Sequence, residues 1–118
     1  MTDPLAKIRE SALELPEAEE RLSHGQPTFF VGGKQFAQFR NNHHGDGKTV
    51  VCVRTSGLDE QAMLIEADPL TYSKPAYLPT WVSINVAGDN VDWNHVGTRI
   101  ASSWELAAPR RLLEAGGR

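Results

Sequence analysis

The sequence has a single cysteine, Cys52, and no apolar run long enough to cross a membrane. One cysteine cannot form a disulfide within the chain, and its neighbours Val51 and Val53 favour a small buried side chain over a reactive thiol. The first residues contain no basic segment followed by an apolar stretch, so we expect neither export nor membrane insertion. The expected location is the cytoplasm.

The chain also lacks an excess of positive charge, since its net charge is −3. Phosphate contacts require cations, so this sign argues against a general nucleic-acid binder. The charges are unevenly distributed: residues 31–58 carry four basic side chains and one acidic one, and residues 93–118 carry four arginines and two glutamates. These two positive segments would either form one surface patch or lie apart, and the sequence leaves both arrangements open.

The chain length of 118 residues and a hydrophobic fraction of 40% are typical of one globular domain. No internal repeat or linker divides the sequence, so we predict a single domain over residues 1–118. Pro4, behind Thr2 or Asp3, predicts the start of a first helix that ends at Pro16.

Two further segments have helical periodicity. The second helix is predicted over residues 57–67, with Ser56 as its cap, Asp59 reaching back to that cap, and a buried stripe. That stripe consists of Leu58, Ala62 and Ile65. The third helix is predicted to begin at the cap Asp92 and to end before Pro109. One face of this helix carries Trp93, Val96, Ile100, Trp104 and Ala107.

Extended segments lie between these helices. We predict strands near residues 28–31, 34–40, 48–54, 72–77 and 81–87, with a tight turn at Gly32 and Gly33 and only a short turn over residues 17–22. In the last strand Val82, Ile84 and Val86 alternate with Trp81, Ser83 and Asn85. This alternation predicts a sheet that is covered on one side. The fold class is therefore α+β, with two layers, the order α-β-β-β-α-β-β-α and one antiparallel sheet against helices.

No catalytic, metal or cofactor site emerges from the spacing of reactive residues. Gly47 and Lys48 precede a strand, whereas a phosphate loop needs a helix N-terminus. His43 and His44 with Asp46 are typical of a solvated turn, because no further ligand is spaced to complete a metal site. We therefore expect a binding protein without a cofactor rather than an enzyme.

A set of short motifs distributed over nearly the whole chain resembles the MmcQ/YjbR family. The motifs occupy residues 13–16, 25–29, 31–37, 43–47, 66–69, 75–77, Trp81, 91–93 and 108–112. The resemblance implies a curved antiparallel sheet with helices against it, like that of the type III secretion chaperones. The resemblance also implies DNA binding as a label and not as a demonstrated activity, because such proteins are usually described as DNA-binding proteins of a double-wing type.

The resemblance and the positive segments together give a set of candidate DNA contacts. The phosphate contacts would come from Lys34, Arg40, Lys48 and Arg54, with a second patch from Arg99, Arg110 and Arg111. Trp81 would either stack on an exposed base or be covered by the loop over residues 75–79, and the sequence leaves both arrangements open. The sequence departs from its relatives before Trp81, where the loop is short, and at Asn85, where an arginine is common. Both departures remove positive charge from the surface that would meet phosphate.

The alternative is a protein or peptide adaptor. In this interpretation Tyr77, Trp81 and Asn85 lie on the open face of the sheet and receive an apolar partner or a second copy of the chain. The chain would then be a monomer or a weak homodimer, with no membrane partner in either case.

Overall fold

Six strands form one antiparallel sheet, flanked by helices, in this computed structural model, which describes residues 3–116. The helices are α1 (Pro4–Leu13), α2 (Leu58–Ala67), α3 (Trp93–Ala107) and α4 (Arg110–Glu114). The strands are β1 (Glu19–Ser23), β2 (Gln26–Val31), β3 (Lys34–Asn41), β4 (Thr49–Val53), β5 (Tyr72–Ser73) and β6 (Val82–Asn85). They are arranged in the order β1-β2-β3-β4-β6-β5. The predicted α+β class, with one antiparallel sheet packed against helices, is confirmed.

β1 is a strand that the sequence prediction missed, because residues 17–22 were expected to form only a short turn. It pairs with β2 from Glu19, opposite Phe30, to Ser23, opposite Gln26. β1 lies at the edge of the sheet and its side chains are exposed or half-buried. A charged edge strand lacks the apolar alternation by which strands are predicted. The first run of strands therefore has four members rather than three.

The strand register divides the sheet into two faces. Ala37 on β3 lies opposite Val53 on β4, and the next pair, Gln38 and Cys52, points to the other side because successive side chains alternate. We call the side of Ala37 and Val53 the helix face, and the side of Gln38 and Cys52 the open face.

The helix face is covered by α1 and α3, which have the predicted caps. The Asp3 side chain accepts a hydrogen bond from the Leu5 amide, and the Asp92 side chain accepts one from the His95 amide, both at 3.1 Å. Each cap satisfies a backbone donor that the first turn of a helix leaves free. The core between the helices and the sheet includes Ile8, Ala12, Phe29, Phe36, Val51, Val53, Ile84, Val96, Ile100 and Trp104. No helix within residues 3–116 has the length and apolar character needed to span a bilayer.

A β-bulge in β3 adds Phe36 to this core. Phe29 pairs with Ala37 whereas Phe30 pairs with Gln35, so Phe36 is the extra residue between the two pairs. The backbone oxygen of Phe36 accepts a hydrogen bond from the Ser103 hydroxyl of α3 at 2.5 Å. The bulge is therefore tied directly to the helix that covers it.

α2 has the predicted extent but not the predicted cap or stripe. Its N-cap is Gly57, and the Ser56 amide donates to the Glu60 side chain at 2.7 Å rather than to Asp59. Its only fully buried residue is Gln61, and Leu64 and Ile65 are half-buried. Leu58 and Ala62 are exposed, because α2 contacts the short outer strand β5 rather than the middle of the sheet.

α3 ends before Pro109 as predicted, and Pro109 separates it from α4, a short helix that was not predicted. Pro109 lies against the turn between β2 and β3, where a Cβ atom on Gly32 would approach the Pro109 Cδ to 2.9 Å. Gly32 also has a φ of +56°, a left-handed conformation that favours glycine. This contact brings the β2–β3 turn and the start of α4 to the same end of the molecule.

Candidate ligand site on the open face of the sheet

The open face carries a chain of hydrogen-bonded polar side chains that are buried. Thr28 donates to the Gln26 oxygen at 3.0 Å, and Gln38 donates its amide to the Thr28 hydroxyl at 3.1 Å. Arg40 then donates through Nε to the Gln38 oxygen at 2.8 Å. Thr28, Gln38 and Arg40 are each less than a tenth exposed. A buried network of this kind fixes each side chain in one orientation.

Residues 74–80 cover this network; we call them the cover segment. Arg40 donates through Nη1 to the Ala76 oxygen at 3.0 Å, which links β3 to a residue 36 positions further along the chain. Leu78 packs on Trp81 and Cys52, forming a small apolar cluster that is separate from the main core. The cover segment therefore converts part of an open sheet face into an enclosed site.

A pocket of about 460 Å³ lies between the β1–β2 hairpin, a short 3₁₀ helix of three residues (His43–Gly45) and the cover segment. Its lining consists of Ser23, His24, Gln26, Gln35, Gln38, Arg40, His43, His44, Tyr77 and Leu78. This volume lies within the range of roughly 300–1,000 Å³ that is usual for ligand pockets. A groove of about 890 Å³ beside α1 and α3 is larger, but it is more open and carries the carboxylates of Glu14 and Glu105. Size alone does not decide between the two, but the buried Arg40 in its lining favours the smaller pocket.

Strained backbone is concentrated around this pocket. Within residues 3–116, five residues other than glycine have positive φ; three of them line the pocket, and a fourth, Asn42, immediately precedes its lining residue His43. These four are His24 (53°), Asn42 (56°), His44 (51°) and Tyr77 (66°). Left-handed backbone is unfavourable for a bulky side chain such as tyrosine, and such strain is found mainly at functional sites. Tyr77 is nevertheless 80% exposed, so burial of its ring does not offset this strain.

Arg40 forms the floor of the pocket and is a buried cation without a counter-ion. It is 6% exposed, and no carboxylate of the described residues lies within 4.0 Å of its guanidinium. Its hydrogen bonds go to two neutral oxygens, those of Gln38 and Ala76. Buried charges are normally paired, so this arrangement leaves positive charge available to a ligand.

His43 lies beside Arg40, and its surroundings lower its pKa. Partial burial lowers the pKa of His43, and the positive charge of Arg40 and the neighbouring His44 lower it further, against a smaller opposite effect from Asp46. Its Nε2 atom is buried and has no hydrogen-bond partner among the described residues. The rings of His43 and His44 are 3.9 Å apart, and His44 meets Tyr77 edge-on at 5.9 Å. No three His, Cys, Asp or Glu side chains in this part of the chain are close enough together to hold a metal ion.

Comparisons with known proteins give the chain's family. Residues 13–106 match the model of the YjbR family. The chain belongs to the YjbR family. The crystal structure of the Deinococcus radiodurans protein DR2400, a protein with the family domain DUF419, has a similar fold with a TM-score of 0.74. The two are 18% identical, and the match covers 94% of this chain and 85% of DR2400. No curated protein matches the chain.

The basic residues predicted to contact DNA are dispersed over the YjbR fold. Lys34 begins β3 and Lys48 follows the far end of that strand, so they are separated by roughly the length of eight strand residues, about 25 Å. Arg40 was expected on the surface, and this was wrong because the cover segment encloses it. Arg54 is half-buried: its Nε donates to the Gln35 oxygen at 2.7 Å, and burial lowers its pKa. These four residues do not form one exposed patch.

The three remaining arginines all form ion pairs with glutamates. Arg99 lies 3.6 Å from Glu60, and its side chain is 14% exposed. Arg110 contacts Glu114 at 2.8 Å, and Arg111 makes a two-pronged pair with Glu17 at 2.6 and 2.7 Å. The pairs of α4 are exposed and therefore weak, so Arg110 and Arg111 stay accessible to a ligand.

Of the residues proposed for the adaptor, Tyr77 borders the pocket whereas Trp81 and Asn85 do not. For Trp81 two arrangements were open, an exposed anchor or a ring covered by the loop over residues 75–79, and the structure shows the second: Trp81 is 6% exposed, because Leu78 covers it and the Arg54 guanidinium lies 5.3 Å from its ring. Asn85 is exposed on β6, where its side chain accepts from the Ala87 amide.

Sequence reasoning missed the histidines and Gln38 as site residues. His43 and His44 were interpreted as a solvated turn, and His24 was not assigned to any site. The sequence does contain a signal for left-handed backbone at these histidines. His24 is followed by a glycine, and His44 lies two residues after Asn42, and both segments are typical of turns. That signal marks tight turns, but it cannot show that two distant turns border one pocket.

Proposed function

We propose that this YjbR-family protein is a binding protein whose partner is a polypeptide segment, held on the open face in the pocket beside Tyr77. The observation that carries the proposal is an exposed tyrosine, held in strained backbone, at the rim of an enclosed pocket. Tyrosine offers a large contact area at a low cost in conformational entropy, which suits it to polypeptide recognition. The wall formed by Leu78 adds apolar surface next to it.

We propose binding rather than catalysis as the role of the site. The hydrogen bonds of Gln38 and Arg40 run to amide and backbone oxygens and to a threonine hydroxyl. No nucleophile hydrogen-bonded to a base lines the pocket among residues 3–116, whereas covalent catalysis needs such a pair. The buried thiol of Cys52, which forms no disulfide in the described chain, supports a cytoplasmic location as part of the same proposal.

A peptide selection tests this proposal. Peptides displayed on phage are selected on the wild-type protein, and their affinities are measured for the wild type, for Tyr77→Ala and for Leu70→Ala. Leu70 is a matched control, since it is 86% exposed and does not line the pocket. We expect Tyr77→Ala to weaken binding by about tenfold or more, as for an interface anchor, and Leu70→Ala to leave it unchanged. Selected peptides that bind Tyr77→Ala as tightly as the wild type would overturn the proposal.

A second candidate function is the DNA binding implied by the family label, and one contact favours it. The approach of Gly32 to Pro109 places Lys34 near Arg110 and Arg111, so that three exposed cations lie at one end of the molecule. The glutamate partners of both arginines and the net charge of −3 reduce the attraction of this end for phosphate.

The DNA candidate is tested by fluorescence anisotropy with duplex and single-stranded DNA at about 50 and 200 mM salt, because phosphate contacts weaken steeply over this range. The decisive variant is Lys34→Glu combined with Arg110→Glu. Lys48→Glu changes one charge at the other end of β3 and serves as the control. Binding that is lost in the double variant and retained in Lys48→Glu would support the candidate, and no binding at low salt would exclude it.

A further inference from the structure

We propose that Arg40 is an oxyanion-binding residue, and that the ligand of the pocket carries a carboxylate group with an apolar body beside it. This inference rests on the proposed function, which it deepens by naming the group that the polypeptide presents: a C-terminal carboxylate or an acidic side chain. It is carried by the buried position of Arg40, by the donors it leaves unused and by the composition of the pocket.

The guanidinium of Arg40 is held through two of its three nitrogens, and the third is unused. Nε donates to Gln38 and Nη1 donates to Ala76, so two oxygens fix the plane of the group. Nη2 has no partner among the described residues, and a guanidinium carries five N–H donors in a rigid fork. An arginine that is fixed in this way loses little side-chain entropy when it binds a carboxylate.

The pocket supplies no negative charge of its own to Arg40. Its lining contains neither aspartate nor glutamate, whereas five other arginines in residues 3–116 have a glutamate within 4.0 Å. Because burial strengthens electrostatic interactions, an anion that enters the pocket meets a stronger attraction than it would at an exposed arginine. The unpaired cation therefore selects an anionic group.

His43 gives a second, independent indication of a polar ligand. Its Nε2 atom is a buried polar group without a partner, which is unfavourable unless a ligand or water satisfies it. When the imidazole carries a proton on Nε2, His43 can add a hydrogen bond to an oxyanion held by Arg40. Tyr77 and Leu78 contribute the apolar contact for the remainder of the ligand.

The experiment uses small probes that differ in one charge. N-acetyl-phenylalanine carries the free carboxylate, and N-acetyl-phenylalanine amide is its neutral counterpart. Both are titrated into the ¹⁵N-labelled full chain, and the amide signals of Arg40, His43 and Tyr77 are followed by NMR. We expect the acid to shift these signals and the amide to bind about tenfold to a hundredfold more weakly, as for the loss of a charged hydrogen bond. Phenyl phosphate is a third probe that separates a phosphate ligand from a carboxylate one.

Two variants with the same change in charge assign the effect to Arg40. Arg40→Gln removes the buried cation, and Lys48→Gln removes an exposed cation that does not line the pocket. We expect Arg40→Gln to abolish the preference for the acid and Lys48→Gln to keep it. The comparison of acid with amide on the wild type needs no variant, so it remains decisive if Arg40→Gln does not fold.

Three outcomes would overturn the proposal: equal affinity for acid and amide, an unchanged preference for the acid in folded Arg40→Gln, or binding of phenyl phosphate without binding of the acid. These outcomes are distinguishable from failure of the proposed function. If selected peptides still depend on Tyr77 while acid and amide bind equally, the polypeptide site stands and the role of Arg40 falls. If the peptides do not depend on Tyr77, the polypeptide site falls whatever the small probes do.

Discussion

Both faces of the sheet are buried near their centres, but the helix face buries mainly apolar side chains whereas the open face also buries hydrogen-bonded polar ones. The helix face buries aliphatic and aromatic side chains beneath two helices, and Ser103 is the buried polar residue that α3 contributes there. The open face buries Thr28, Gln38, Arg40 and Ser83. Apolar burial stabilises the fold without directing any group toward a ligand, whereas buried hydrogen bonds hold particular atoms in place. The difference separates the face that specifies the fold from the face on which we propose that a ligand binds.

The covers of the two faces differ in how they are attached. α1 and α3 are held by burial, while the cover segment is held largely by hydrogen bonds to its backbone oxygens. Thr55 donates to the Thr80 oxygen at 2.5 Å, and Gln61 donates to the oxygens of Pro79 and Trp81 at 2.9 and 2.6 Å. A segment with few apolar contacts opens at a lower free energy than the core does. We therefore expect the cover segment to open at a lower free energy than α1 and α3.

The largest effect is expected from breaking the helix face at Trp104. This residue is fully buried, and its ring nitrogen donates to the Pro16 oxygen at 3.1 Å. We expect Trp104→Ala to lower the free energy of unfolding by about 3–5 kcal/mol, measured by urea denaturation. Leu106→Ala on the same helix, at a half-exposed position, is the control and should cost much less. Equal losses in the two variants would mean that burial on this face does not control stability.

A smaller effect is expected from detaching the cover segment with Gln61→Leu. The substitution leaves the oxygens of Pro79 and Trp81 without their donor, so we expect a loss of about 1–3 kcal/mol. Alkylation of the buried Cys52 thiol should become faster, because that residue packs in one cluster with Trp81 and Leu78. Met63→Leu, at an exposed position of α2, is the control for both measurements. Unchanged alkylation in Gln61→Leu would contradict a cover held by hydrogen bonds.

On the open face, the substitution Tyr77→Asn is expected to stabilise the protein. Asparagine tolerates left-handed backbone better than tyrosine does, and the ring of Tyr77 is mostly exposed. We expect Tyr77→Asn to raise the free energy of unfolding by up to about 1 kcal/mol while it weakens ligand binding. Thermal denaturation and the peptide affinities described above measure the two effects. A destabilised Tyr77→Asn would show that the ring contributes more to folding than its exposure suggests.

The smallest effect concerns the titration of His43. Because its pKa in the folded chain lies below the ordinary value of 6.5, the unfolded chain binds more protons between these two values. The contribution of His43 to stability is therefore present above pH 6.5 and is lost as the pH falls through the folded pKa. We expect Arg40→Gln to raise the pKa of His43, measured by NMR titration, since one of the causes of its depression is removed. An unchanged pKa of His43 in Arg40→Gln would mean that burial and His44 alone account for its lowered value.

The parts of the fold that the sequence predicted are those whose signals are local. Asp3 and Asp92 cap helices within three residues of themselves, and Pro16 and Pro109 stop them nearby. β1 escaped prediction because its pairing with β2, rather than its own pattern, makes it a strand. In α2 the helical pattern was correct, but the buried position of Gln61 depends on backbone oxygens 18 and 20 residues away.

The candidate site was less predictable, because its parts come from distant segments. Arg40 stands in a segment rich in positive charge, and nothing near it in sequence indicates that Ala76 would accept its hydrogen bond. The alternation on β6 correctly gave the side on which Trp81 lies, but it could not show that Leu78 would cover the ring. Conversely, Tyr77 was chosen from sequence and does border the pocket, although the reason found in the structure, its strained backbone, was not the reason for the choice.

The position of α3 along the chain has a consequence for synthesis on the ribosome. The meander from β1 to β4 is complete once residues 19–53 have emerged, but its apolar face packs mainly against α3, which spans Trp93–Ala107. Phe29, Phe36 and Val51 therefore remain without that cover while more than forty further residues are translated. An uncovered apolar sheet is prone to aggregation, so a stalled nascent chain that ends before α3 is the form of this protein with the greatest need for a chaperone.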